Sequence, residues 1–244
     1  DEFFVLKIYK PNRHPNHDVL EEIMTKTRGA GSPLVSISSH GLWTDPKTGW
    51  THDFEVMQYC EGGSLAEVSF KGKEDEFKRV ALEMAIAIDF CHRHHILHRD
   101  VKPGNFLFVD KERKHLVLSD FGISMMLDDE GNMIYDKHRQ LIEEARSVVY
   151  AAPEMYMQMQ SFSPVVTTKA DFYSLGMTLV ALWKGEGFLI GKEQELVTMK
   201  QENKLPYPTL QEISEHTLSL MMALTRNNVK ERAGMAEIEE WAKG

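Results

Sequence analysis

Residues 98–105 read HRDVKPGN. His98, Arg99, Asp100, Lys102 and Asn105 crowd into one short stretch. Pro103 and Gly104 break regular pairing, and three charges in five residues resist burial, so the stretch is a loop. A carboxylate here can accept a proton, an amide can offer oxygen to a hard cation, and the cations can meet an anion. A loop so dense in ionisable groups is a candidate catalytic segment, against the alternative of a solvated turn. Three further stretches bear on the choice. DFG closes a strand-like run at 120–122, APE stands at 152–154, and Lys7 sits inside FVLK near the start.

In this order the four stretches resemble the eukaryotic-type protein kinase family. HRDVKPGN is similar to that family's H-R-D-x-x-x-x-N catalytic loop. VMQYCEGGSL at 56–65 looks like its hinge, with Met57 as gatekeeper and Met57, Gln58, Tyr59 and Cys60 lining the nucleotide. ADFYSLG at 170–176 resembles the segment whose Asp anchors the catalytic loop. Arg232 matches the late Arg that pairs with the Glu of APE, here Glu154. The resemblance covers residues 4 to 242.

The resemblance implies ATP and Mg²⁺ as the reacting partners and a protein as substrate. Asp100 would accept the proton of the substrate hydroxyl, and Lys102 would meet the phosphoryl group in flight. Asn105 and Asp120 would bind Mg²⁺ through oxygen. Lys7 would hold the α- and β-phosphates, itself fixed by a helix Glu. Glu21 and Glu22 flank that helix's apolar face almost symmetrically, at about 100° per residue. The E-I dipeptide and the distance to Pro33 favour Glu22. Lys26 stands where the family prefers an apolar side chain. Lys102, and Ser147 three residues before Tyr150, favour Ser/Thr substrates. The alternative is a pseudokinase, a regulatory or scaffold domain that keeps the fold without turnover.

The family's glycine-rich loop would precede the lysine strand, yet only six residues precede Lys7. Gly29 and Gly31 follow the helix and cannot serve. Either the chain is a piece, or Lys7 and Mg²⁺ hold the phosphates without that lid. DEFFVLKIYK also opens inside a strand-like run, as though residues upstream were missing. It has no basic region ahead of an apolar stretch, unlike a signal peptide.

The elements that must position these residues follow from the pattern. FFVLKIY at 3–9 reads as a strand, PNRHPNH as a turn, and DVLEEIMTK at 18–26 as a helix with Val19, Leu20, Ile23 and Met24 on one face. LVSIS at 34–38 and WTHDFEVMQY at 50–59 form a hairpin across DPKTG. A long helix spans 76–95, short strands 106–109 and 115–119, and helices 169–184, 192–201, 210–225 and 234–242. The expected fold is α+β: a two-lobed kinase with a reduced β-rich N-lobe over 1–60 and a helical C-lobe over 61–244.

Composition sets outer bounds. The chain has 244 residues, 42% hydrophobic and 27% charged, enough for a sizeable core. A net charge of −9 leaves no basic field for nucleic acid. No apolar run reaches membrane-spanning length. Cys60 and Cys91 form no C-x-x-C pair, which fits a reducing, cytoplasmic compartment. Cys91, His92, His94, His95 and His98 are better read as the end of a packed helix than as a metal cluster, and MYMQMQ at 155–160 as a packed helix after APE. Control is expected at Arg99. One of the activation-segment acids (Asp128, Asp129, Glu130, Asp136, Glu143, Glu144) would pair with it in place of a phosphate, against the alternative of a solvated, mobile acidic loop. Ser124 and Tyr135 are the groups that an activating kinase or autophosphorylation would modify.

Overall fold

The computed structural model describes residues 3–28, 31–134, 148–156, 165–185, 188–189 and 191–244. Tyr135, Asp136, Glu143, Glu144 and Ser147 lie outside the described residues, as does the end of MYMQMQ. Among the described residues there are seven α-helices and small antiparallel sheets, gathered into a β-rich N-lobe and a helical C-lobe.

In the N-lobe, β1 (Phe4–Ile8), β2 (Ile37–Thr44) and β3 (Thr51–Gln58) form an antiparallel sheet in the order β1-β3-β2. Helix α1 (His17–Lys26) starts at Asn16, whose side chain accepts the Asp18 N–H at 3.1 Å. Its buried face is Val19, Leu20 and Ile23. The hairpin turn forms over DPKTG: the Asp45 carboxylate accepts from Lys47 N and Thr48 Oγ1, and Gly49 takes φ +72°. The first hairpin strand differs from expectation. It runs 37–44 rather than 34–38, because the tight turn fixes the register from the Thr44–Thr51 end and pairing proceeds back to a bulge at Ile37/Ser39. Leu34 and Val35 turn to the C-lobe, where Val35 N donates to Leu118 O at 2.9 Å.

The C-lobe is built on α2 (Glu74–Arg93), which buries Phe77, Val80, Met84, Ile88 and Cys91 at helical spacing. Strands β4 (Gly63–Ser64), β6 (Phe106–Phe108) and β7 (Leu116–Leu118) form one sheet, and β5 (Ile96–Leu97) pairs with β8 (Met125–Met126). Next come α3 (Pro153–Tyr156), α4 (Lys169–Lys184), α5 (Glu193–Gln201), α6 (Glu215–Leu224) and α7 (Met235–Lys243). Helix α4 is buried along nearly its whole length and runs through the lobe's interior. Helix α6 begins later than the expected 210. Thr209 N donates to Glu212 Oε2 in a turn, and Ser214 then caps the helix through Thr217 N.

One core runs from Val19, Leu20 and Ile23 of α1 through α2, β6, β7 and Phe121 to Trp241 of α7. A second gathers Leu97, Met125, Val149, Tyr150, Tyr173 and Met177. Among the described residues no helix is long and apolar enough to cross a membrane.

Candidate active site

HRDVKPGN lies between β5 and β6 and is pinned from below. Asp171, in the first turn of α4, is fully buried. Its carboxylate accepts His98 N at 2.9 Å and Arg99 N at 2.8 Å, and lies 2.9 Å from His92 Nε2. Burial alone would raise its pKa. His92, His98 and the backbone N–H groups outweigh that and hold it below the usual carboxylate range. These bonds also stabilise Arg99 at φ +70°, a conformation few non-glycine residues adopt. His98 packs edge-to-face on the DFG Phe121 at 5.0 Å. Its Nδ1 accepts the Asp100 N–H at 3.2 Å, so Nε2 carries the proton and donates to Ser119 O at 3.0 Å.

The loop thus presents three side chains together. Lys102 Nζ donates to Asp100 Oδ2 at 2.6 Å. Asn105 Nδ2 donates to Asp100 O at 2.7 Å and to Oδ2 at 3.0 Å. With its nitrogen turned to Asp100, Asn105 has its carbonyl oxygen as the group to offer a cation.

Asp120 follows β7 at φ +64° and contacts Lys7 Nζ at 2.7 Å. Burial would raise its pKa, but Lys7 outweighs burial and holds it below the ordinary value, so it stands as a carboxylate. Lys7 Nζ also lies 2.9 Å from Glu55 Oε1 and 3.0 Å from the Tyr9 hydroxyl. Burial on its own would lower the lysine's pKa. Asp120, Glu55 and Tyr9 together carry it well above the ordinary value. Gly122 makes the crowding possible: a Cβ there would meet Tyr9 Cε1 at 3.0 Å and Asp120 Oδ1 at 3.2 Å.

Glu22 needs correction as the partner of Lys7. It pairs with Lys26 at 3.6 Å and faces His94 at 3.7 Å, while Glu21 meets His40 at 3.0 Å. The physical reason is proximity. Lys7 and Glu55 are register partners on adjacent antiparallel strands, with side chains on one face, and Lys26 draws Glu22 along its own helix. Glu55 and Tyr9 were missed in the sequence. The signal was present: Asp53, Glu55 and Met57 alternate onto one face of β3, and acids at buried positions of a strand call for cations.

At the hinge, Met57 and Cys60 are buried, Gln58 is half-buried and Tyr59 is exposed. Gln58 lines a cavity with Glu83, Ile86 and His115, away from Lys7 and Asp100. Burial pushes the Cys60 thiol up to about 11. Gly62, just beyond, lies so close to β6 that a Cβ would sit 2.5 Å from Phe108 Cβ. His92, His94, His95 and His98 turn to four different partners: Asp171, Glu22, Asp128 O and Ser119 O.

Further from the loop, Arg232 meets Glu154 in a two-pronged pair, Nη1–Oε1 at 2.5 Å and Nη2–Oε2 at 3.0 Å, with the Arg side chain fully buried. Lys200 Nζ donates to Val148 O and Ala151 O at 2.7 and 2.8 Å, so the approach to APE is tied to α5.

One expectation about control changes. Ser124 is fully buried and its hydroxyl donates to His98 O at 3.0 Å, so it is not a group that a modifying enzyme can reach in this fold. Arg99 Nη1 donates to Ile123 O at 3.0 Å, and Asp128 is engaged instead with Asn132 N and Nδ2. Asp136, Glu143 and Glu144 lie outside the described residues.

A carboxylate beside an ammonium, an amide and a second carboxylate able to offer oxygen to a hard cation, and a half-buried lysine, set between two lobes, are the groups that a phosphoryl-transfer cleft needs. Comparison with known proteins agrees. The model of the protein kinase domain matches residues 3–241, and the chain belongs to that family. It is similar to the human SNF-related serine/threonine-protein kinase, 28% identical over 196 residues, covering 78% of this chain and 24% of the relative. It is also similar to the CBL-interacting serine/threonine-protein kinase 10 of Arabidopsis thaliana, 31% identical over 183 residues, 74% of this chain and 31% of the relative. The carbon catabolite-derepressing protein kinase of Secale cereale is 34% identical over 135 residues, 54% of this chain and 24% of the relative. The chain spans about a quarter to a third of the length of these relatives.

Proposed function

We propose that the chain transfers the γ-phosphoryl group of ATP to Ser or Thr hydroxyls of a protein substrate. The observation that carries this is the Asp100–Lys102–Asn105 cluster, preset by Asp171 and faced by Asp120 and Lys7. Asp100 holds the substrate hydroxyl and accepts its proton at the carboxylate. Lys102, already beside that carboxylate, offers its charge where the phosphoryl oxygens pass. Lys7 grips the inner phosphates. Asn105 through its carbonyl and Asp120 through its carboxylate would hold Mg²⁺, which supplies neutralisation of the phosphate charge. Met57, Tyr59 and Cys60 border the adenine, while Gln58 lines the separate cavity; residues 1–60 act as the nucleotide-clamping lobe and 61–244 as the catalytic one. Lys102 and the names of the relatives support Ser/Thr substrates. The free, buried thiols of Cys60 and Cys91 support a reducing, cytoplasmic setting. An activating kinase or autophosphorylation would act on the segment after Asp128, with Tyr135 as the candidate.

The test is transfer of labelled phosphate from Mg-ATP to a mixed Ser/Thr/Tyr peptide set, with Asp120→Ala beside the parent. Expected are phosphoserine and phosphothreonine from the parent, and loss of the Mg²⁺-dependent thermal stabilisation by ATP in the variant. Nucleotide binding with no transfer to any peptide, nor to the protein itself, would replace the proposal with a pseudokinase.

A further inference from the structure

The geometry points to Glu55 of β3, and not an acid of α1, as the residue that positions Lys7 for the nucleotide, with the Tyr9 hydroxyl as its brace. This rests on the kinase reading above. Glu55 is 1% exposed and sits directly opposite Lys7 in the β1–β3 register. A buried carboxylate is tolerated only with a cation and hydrogen bonds to match it. Both are supplied at Oε1, by Lys7 Nζ at 2.9 Å and the Tyr9 hydroxyl donating at 3.0 Å, while Oε2 is buried with no hydrogen-bond partner among the described residues. Lys7 Nζ lies 3.0 Å from that hydroxyl, so the three groups close a triangle. The ammonium has one further carboxylate, Asp120 at 2.7 Å, and that is the group assigned to the cation. Glu55 is therefore the partner Lys7 keeps when Asp120 turns to metal. The acids of α1 are committed elsewhere, Glu21 to His40 and Glu22 to Lys26 and His94. Tyr9 is itself lodged against Gly122, where a larger residue would displace it. Glu55 touches neither nucleotide nor substrate; it acts through Lys7.

The role is tested by comparing two ligands, ATP and adenosine, by calorimetry on Glu55→Gln, Tyr9→Phe and Glu22→Gln. Lys7 serves phosphates only, so loss of its positioning weakens ATP and spares adenosine. A merely structural fault weakens both. Glu55→Gln is expected to raise the Kd of ATP about tenfold and to leave that of adenosine within about twofold. Tyr9→Phe should show the same selectivity at about threefold, and buries no new charge, so it decides the matter if Glu55→Gln does not fold. Glu22→Gln should leave both ligands within about twofold. Selective loss in Glu22→Gln with Glu55→Gln unaffected would overturn the assignment, as would equal loss of both ligands in the folded Glu55 or Tyr9 variant. A parent chain that binds neither ligand overturns the kinase reading, and the role of Glu55 with it.

Discussion

The two walls of the cleft are held by different physics. The lower wall, HRDVKPGN, hangs from groups with no access to water: Asp171 and His98 are wholly buried and each bonds backbone atoms directly. The upper wall is held by a cluster of charges that partly meets solvent. The Lys7 side chain is 28% exposed and that of Asp120 43%. Backbone bonds in a dry interior fix geometry whether or not a ligand is bound. Charges that satisfy one another can exchange partners when a phosphate or a cation arrives. The groups proposed for catalysis are thus preset, and those proposed for the nucleotide are placed to rearrange.

This contrast can be broken by experiment. The largest effect is expected at the preset wall. Asp100→Asn should lower kcat by about 10²–10⁴-fold while ATP affinity stays within about twofold, read by steady-state kinetics beside calorimetry. Parallel losses in both would mean the two walls are not separable. Next is the buried ion pair at APE. Arg232→Ala leaves the Glu154 carboxylate buried without its guanidinium, and should cost about 3–5 kcal/mol in urea unfolding. A smaller effect is expected above. Gly122→Ala presses a methyl group on Tyr9 and Asp120, and should raise the KM for ATP by about threefold to tenfold at a stability cost of about 1 kcal/mol. If stability falls further while KM holds, the upper wall is as rigid as the lower.

The smallest effect concerns pH. Burial lowers the Lys200 pKa to about 7, with Glu154 only partly opposing it. A folded-state value below the unfolded one means that the unfolded chain binds more protons between about pH 7 and 10. Stability should therefore rise with pH across that window and be insensitive to this group below it. The expected rise in Tm is about 3–5 °C per pH unit, absent in Lys200→Met. A flat profile for the parent would mean that the bonds to Val148 O and Ala151 O keep the ammonium charged.

The lower wall was legible in the sequence because its parts are contiguous and each signals locally. HRDVKPGN and APE are short runs with recognisable chemistry, and the partners at Asp171 and Arg232 sit in equally compact segments. The upper wall was not legible in the same way. Which acid meets Lys7 depends on how β1 and β3 align, and a shift of one residue would turn Glu55 to the opposite face. The helix offered Glu21 and Glu22, but nothing in the spacing showed that His40, His94 and Lys26 would engage them. Ser124 read as an accessible hydroxyl, and only tertiary packing sends it to the His98 carbonyl. The hairpin strand was placed too early for a related reason. Its residues from Ser39 to Thr44 are paired by the turn's register and have weak patterning of their own.

The Lys7–Glu55 contact lies within one sheet, and neighbours in a ladder travel as a rigid body. Tilting α1 as a unit changes the distance from Lys7 to any acid on that helix. It does not change the distance from Lys7 to Glu55, which the hydrogen bonds between β1 and β3 set. The ammonium's anchor is therefore mechanically independent of helix orientation, and a partner that pushed only on α1 would have no lever on it.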